Sequence, residues 1–233
     1  VHVAHSPSAA TRCTCDRRTL LKVCGLLALG LAGEPNAAHA AAATPRLLIL
    51  PLGAAIPLAD IEYVRRSLKA FYDFDLVVAP REALPRDAYY APRQRYRAEK
   101  LLDYLQTRLS DDVDRVLGLT SVDISTTKAS AFDWGILGLA TIDGRTCVLS
   151  SHRCQRRIRQ RTDARARLGK VAVHEIGHTL GLEHCPTPGC LMHDAEGSVL
   201  TVDSERDLCQ RCRKHLTRSD RLSATREQPP WGV

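Results

Sequence analysis

The chain has 233 residues, 44% of them hydrophobic and 25% charged, enough apolar material for one packed domain of ordinary size and too much for intrinsic disorder. No apolar run reaches the ~18 residues a membrane-spanning helix needs, and no fixed-period repeat marks a solenoid or propeller. The net charge of +7 permits acidic partners without choosing among nucleic acid, lipid and substrate.

The N-terminus reads as an address. Asp16-Arg17-Arg18-Thr19-Leu20-Leu21-Lys22 precedes an eleven-residue apolar stretch over 23–33, and Ala38-His39-Ala40 supplies an A-x-A cleavage pattern. Basic, apolar and small-residue regions in that order make a secretory signal peptide. The pair Arg17-Arg18 resembles a twin-arginine signal, with Asp16 and Leu20 departing from its usual Ser/Thr and Phe. We therefore expect 1–40 to be a removable signal and 41–218 the functional domain. Residues 219–233, with Pro229-Pro230, should form a flexible tail. The mature protein is expected outside the cytoplasm of a bacterium, periplasmic or extracellular, with no stable membrane insertion.

In the domain, 46–52 is a short apolar run that reads as a buried strand. Residues 58–71 carry Leu58, Ile61, Val64, Leu68 and Phe71 at helical spacing. A strand follows at 74–79, then a polar loop rich in Tyr and Arg, then a second amphipathic helix at 96–109 and a third strand at 114–120. Alternation of strand and helix predicts a parallel sheet covered by helices. Residues 136–142 and 145–149 flank Asp143-Gly144, a hairpin signal that puts one antiparallel strand at the sheet edge. The arginine-rich 153–167 reads as a solvated loop and helix start, with a binding patch as the alternative. Further helices are expected at 170–180 and 202–216.

The chemistry concentrates after residue 170. His174 and His178 are four apart, on one face of a helix, and can reach one zinc together. Gly181 stands where the helix must stop, and the returning chain brings His184 round as a third ligand. Three protein ligands leave a position open for water, the catalytic arrangement. Glu175, next to a ligand but not needed for the metal, is placed to act as base toward the metal-bound water.

This pattern resembles the metzincin metallopeptidases, which add a methionine turn beneath the metal, and Met192, the single methionine, lies eight residues past His184. Nine cysteines include Cys185, Cys190, Cys209 and Cys212, spaced either for a structural zinc or for two disulfides, with the C-x-x-C pair favouring metal. Cys147 and Cys154 could form a further disulfide or stay free.

From His174 through Cys212 the string resembles the archaemetzincin family. Upstream, Val116-Leu117-Gly118-Leu119-Thr120-Ser121-Val122-Asp123, Gly138-Leu139-Ala140 and Ser150-Ser151-His152-Arg153 resemble its strands and the segment after them. The Met192-to-Cys209 gap is one residue shorter than the family pattern. The resemblance implies an α/β, metzincin-like domain. Its sheet is mixed and mostly parallel, with an antiparallel edge strand, an active-site helix and a small zinc-bound C-terminal subdomain. It also implies two zinc ions, one catalytic on His174, His178 and His184 and one structural on Cys185, Cys190, Cys209 and Cys212. The expected activity is hydrolysis of peptides or proteins, the substrate lying extended along 136–142, by a monomer that binds no nucleic acid. The alternative is an exported, non-catalytic zinc-binding protein on the same scaffold.

Overall fold

The computed structural model describes residues 44–54, 56–217 and 227–232; the expected signal segment at 1–40 lies outside the described residues. Its main sheet has five strands: β1 (Arg46–Leu52), β2 (Asp75–Val78), β5 (Arg115–Thr120), β8 (Gly138–Ala140) and β9 (Thr146–Ser150). They lie in the order β2-β1-β5-β9-β8. The first four in that order run parallel, and β8 closes the edge antiparallel to β9. This is the expected mostly parallel sheet with an antiparallel edge.

Strand alternation explains how the sheet is covered. Side chains two apart share a face. Leu47 and Ile49 of β1, Leu117 and Leu119 of β5, and Leu149 of β9 point into one core. There they meet Ile61, Val64 and Leu68 of α1 (Leu58–Lys69) and Leu168, Ala172 and Ile176 of α4 (Arg161–Thr179). Leu50 and Leu52, Val116 and Val148 point the other way, against Leu101 and Leu105 of α2 (Ala98–Gln106). Gly118 shows how close that second packing is: a Cβ there would lie 2.8 Å from the Leu105 side chain.

The region expected as a loop before α2, and the stretch after β5, build a second sheet. It contains β3 (Tyr89–Tyr90), β4 (Arg95–Arg97), β6 (Ile124–Lys128) and β7 (Ala131–Ile136), in the order β3-β4-β6-β7. Leu137 alone separates β7 from β8, so the chain passes from the edge of one sheet to the edge of the other within a single residue.

Two helical expectations are corrected. α4 begins nine residues before the expected start at 170, because Gln160 and Asp163 form a capping box; Arg156, Arg157, Arg159 and Arg161 are exposed as expected, whereas three other arginines of the stretch are paired. Arg167 is buried against Asp203, Arg165 pairs with Asp60, and Arg153, in the short α3 (Ser151–Cys154), pairs with Asp123. The single helix expected at 202–216 is instead two, α5 (Val199–Ser204) and α6 (Gln210–Thr217). Between them the chain is pulled out straight to pair Asp207 with Cys190. The segment beyond Ser219 was expected to be loose. Its described part, 227–232, returns to the body, where Trp231 stacks on Phe71 at 5.8 Å and its indole nitrogen donates to Arg206 O.

Candidate metal centre

α4 carries the first cluster. His174 and His178 project from adjacent turns, with ring centroids 4.6 Å apart and Nε2 atoms 3.0 Å apart. The helix ends in a Schellman motif: Gly181 takes φ +83°, its N–H donates to His178 O, and Leu182 N–H donates to Gly177 O. The reversed chain brings the His184 ring within 4.9 Å of His178 and 5.4 Å of His174. One nitrogen from each of the three lies within 4.8 Å of the others.

Two backbone carbonyls fix the chemistry of the rings. His174 Nδ1 lies 2.7 Å from Leu191 O, and His178 Nδ1 lies 2.6 Å from Leu182 O. A carbonyl can only accept, so Nδ1 carries the proton and Nε2 keeps its lone pair for a metal. Burial, with His178 nearby, pushes the His174 imidazole down to about 3, and burial lowers His178 as well. Both are therefore neutral at pH 7, the form that binds metal. Zn–N bonds of 2.0–2.1 Å in a tetrahedron put nitrogens about 3.4 Å apart, close to the observed pair. The donor set fits zinc.

Glu175 faces the same cleft. It is 5% exposed, and burial raises its carboxyl to about 8; a divalent cation at the neighbouring imidazoles would draw that value down. Its position depends on Gly138 of β8, where a Cβ would fall 2.4 Å from Glu175 Oε1. The cleft holds about 470 Å³ and lies between β8 and α4, with Asp194–Gly197 on its far side.

The second cluster is closed. Cys185, Cys190 and Cys212 are buried and Cys209 is half-buried. Sulfur separations are 3.6 Å for Cys185–Cys209, 3.8 Å for Cys190–Cys212 and 3.6 Å for Cys209–Cys212. A disulfide requires about 2.05 Å, whereas Zn–S bonds of 2.3 Å in a tetrahedron put sulfurs about 3.8 Å apart. All four are free thiols, spaced for a metal. Burial, with Cys190 beside it, raises the Cys212 thiol, and burial raises Cys190 too. Four thiolates this close need a cation among them. Cys147 and Cys154 are also free, and fully buried, so no bridge joins them.

A short segment links the two clusters. Cys190 gives its sulfur to the second, and Leu191 O holds His174 of the first. Met192 packs under α4, where a Cβ on Gly177 would meet its Sδ at 2.5 Å, and Met192 O accepts from Cys185 N–H at 2.7 Å. All nine expected site residues, Met192 included, meet at this corner of the molecule. The sequence did not single out Gly138 and Gly177, although a glycine inside a strand or a helix signals close approach.

Neutral imidazoles around an open cleft with a buried glutamate are the equipment of a metallopeptidase. Residues 60–218 match the description Peptidase family M54. The archaemetzincin of Halobacterium salinarum is 34% identical over 172 residues, covering 68% of this chain and 95% of that protein. The crystal structure of archaemetzincin from Methanopyrus kandleri superposes with a TM-score of 0.66 at 31% identity, covering 76% of this chain and 96% of that one. The Archaeoglobus fulgidus archaemetzincin, solved complexed with malonate, gives 0.61 at 30% identity, covering 73% and 99%. The chain belongs to peptidase family M54, the archaemetzincins, and is a zinc-dependent peptidase.

Proposed function

We propose that this peptidase uses two zinc ions, one held by His174, His178 and His184 and one by Cys185, Cys190, Cys209 and Cys212, with Glu175 as general base. The observation that carries the reading is the placement of Glu175 on α4 between the two helical histidines, its buried carboxyl against Gly138 of the edge strand. A peptide pairs with the open edge of β8 through main-chain hydrogen bonds, which sets its scissile carbonyl over the histidines. Zinc, when bound, supplies a Lewis acid that polarises that carbonyl and makes the attacking water more acidic. Glu175 takes the proton of the water and passes it to the leaving amine. The Leu191 and Leu182 carbonyls keep the imidazoles in one tautomer throughout.

Glu175→Ala should keep the full zinc content while hydrolysis of a peptide library falls by more than the ~10²–10⁴ of acid–base catalysis alone. Unchanged turnover with both metals in place would leave a zinc-binding protein and no peptidase mechanism through this residue.

We also propose that 1–40 directs twin-arginine export and that the mature domain, starting near residue 41, works in the periplasm or outside the cell. Two features support this: the Arg17-Arg18 signal, and a four-thiol site that loads zinc best in a reducing compartment before folded transport. Replacing both arginines by lysine should trap the precursor inside, as fractionation would report; normal export of that variant would remove the argument.

A further inference from the structure

The cleft runs past Glu175 toward the preceding turn of α4. Val171 lies one turn earlier on the same helix face, and Leu137 and Val202 join it in lining the cleft. Glu205 lines it too, in the straight segment between α5 and α6. Its side chain is 2% exposed, and its Oε1 is buried without a hydrogen-bond partner.

The cations nearby are committed elsewhere. Lys170 Nζ donates to Val202 O at 3.0 Å and Asp203 O at 3.3 Å. Arg167 clasps the Asp203 carboxylate and Arg206 donates to the backbone oxygens of Asp203 and Glu205. Among the described residues no ion pair reaches the Glu205 carboxyl. Burial pushes that carboxyl up to about 8, against the pull of Lys170, as befits an acid with no counter-charge in contact. A buried polar atom left unpaired is costly, and a protein retains one where something completes it.

The charge of the cleft says what that something is. The protein as a whole is basic at +7, yet the cleft sets four carboxyl groups, Glu175, Asp194, Glu196 and Glu205, against Lys128, and the two charges of a zinc ion on the histidines would still leave the carboxyls in excess. Apolar side chains and a buried acid lining one cleft suit a long side chain with an aliphatic stem and a charged head.

We propose that Glu205 is a specificity-determining residue that receives the ammonium or guanidinium head of a lysine or arginine in the peptide substrate, next to the scissile bond. Val171, Leu137 and Val202 cover the stem, and the head forms a charge-assisted hydrogen bond with the orphan oxygen. The inference rests on the peptidase reading of the cleft.

The test uses the zinc-loaded protein and fluorogenic peptides that carry lysine, arginine or norleucine at one position, each with a free or an acetylated N-terminus. Lysine and arginine should exceed norleucine by roughly 10–10² in kcat/KM, the size of a hydrogen bond to a charged group, whether or not the N-terminus is acetylated. Glu205→Gln should bring the lysine-to-norleucine ratio to about one; a ratio equal to that of the unaltered protein overturns the proposal. A preference that follows the free N-terminus alone assigns the carboxyl to a terminal amine and overturns it also. A measurement without any variant guards against misfolding: n-butylammonium should inhibit cleavage of the norleucine peptide far better than n-butanol, and equal inhibition counts against the site. Cleavage of lysine and norleucine peptides at equal rates sinks this inference alone, whereas cleavage of none sinks the peptidase reading with it.

Discussion

The histidine and cysteine clusters adjoin at His184–Cys185, yet one is open and the other closed. The His184 side chain is 51% exposed and stands at the mouth of a cleft. Cys185, Cys190 and Cys212 are each buried to 3% or less, and sulfur surrounds the space between them. Three donors facing a cavity leave room for water and substrate; four donors facing one another leave room for an ion alone. Division of labour follows from ligand number and burial. The closed cluster holds the C-terminal segments in place, and the open one works within the frame so made.

The contrast breaks most sharply at Cys209. Cys209→Ser removes one donor from the closed cluster, so the second zinc proposed there should be lost and the melting temperature should fall. Leu191 O and Cys185 would then hold His174 and His184 less firmly. Affinity at the histidines should drop by ~10–100-fold, the usual penalty for disturbing the groups that orient metal ligands. Metal analysis with chelator titration checks this: loss of one equivalent with normal affinity for the other would make the clusters independent.

A smaller disturbance would separate the proposed base from the metal. Gly138→Ala places a methyl 2.4 Å from Glu175 Oε1, so that the carboxyl must move, without touching a ligand. A shift of about 1 Å in a catalytic group lowers turnover roughly 10²-fold, so with Glu175 as the proposed base kcat should fall by that factor while the metal content stays unchanged. Steady-state kinetics and metal content on the same sample decide it.

Gly177→Ala should act least, and on stability. Its Cβ would press on Met192 Sδ, the flexible end of a side chain that can give way. Overpacking of this kind is worth about 1–3 kcal/mol. With roughly 2–4 °C per kcal/mol for a domain of this size, thermal melting should show a drop of several degrees. A melt unchanged from that of the parent would mean that the methionine turn yields freely.

The sequence displayed these clusters because metal chemistry fixes residue type and spacing together. Its apolar runs also displayed β1, β5 and β9, each buried on both faces. The second sheet was hidden for the opposite reason. β6 ends in Thr126, Thr127 and Lys128, and β7 exposes Phe132 and Trp134, so neither shows an apolar run or a clean alternation. The start of α4 was hidden by charge, since Arg167 and Lys170 occupy buried positions that a hydrophobic pattern cannot reveal. Glu205 was invisible as well: its meaning comes from a missing partner, which only three dimensions disclose.

Cys190, Leu191 and Met192 act on three different parts of the molecule, as sulfur donor, as carbonyl acceptor for His174 and as packing beneath Gly177. For the lineage this is a stretch of chain with no slack. Insertion or deletion of one residue there would shift all three roles at once, and no second change elsewhere could restore them together.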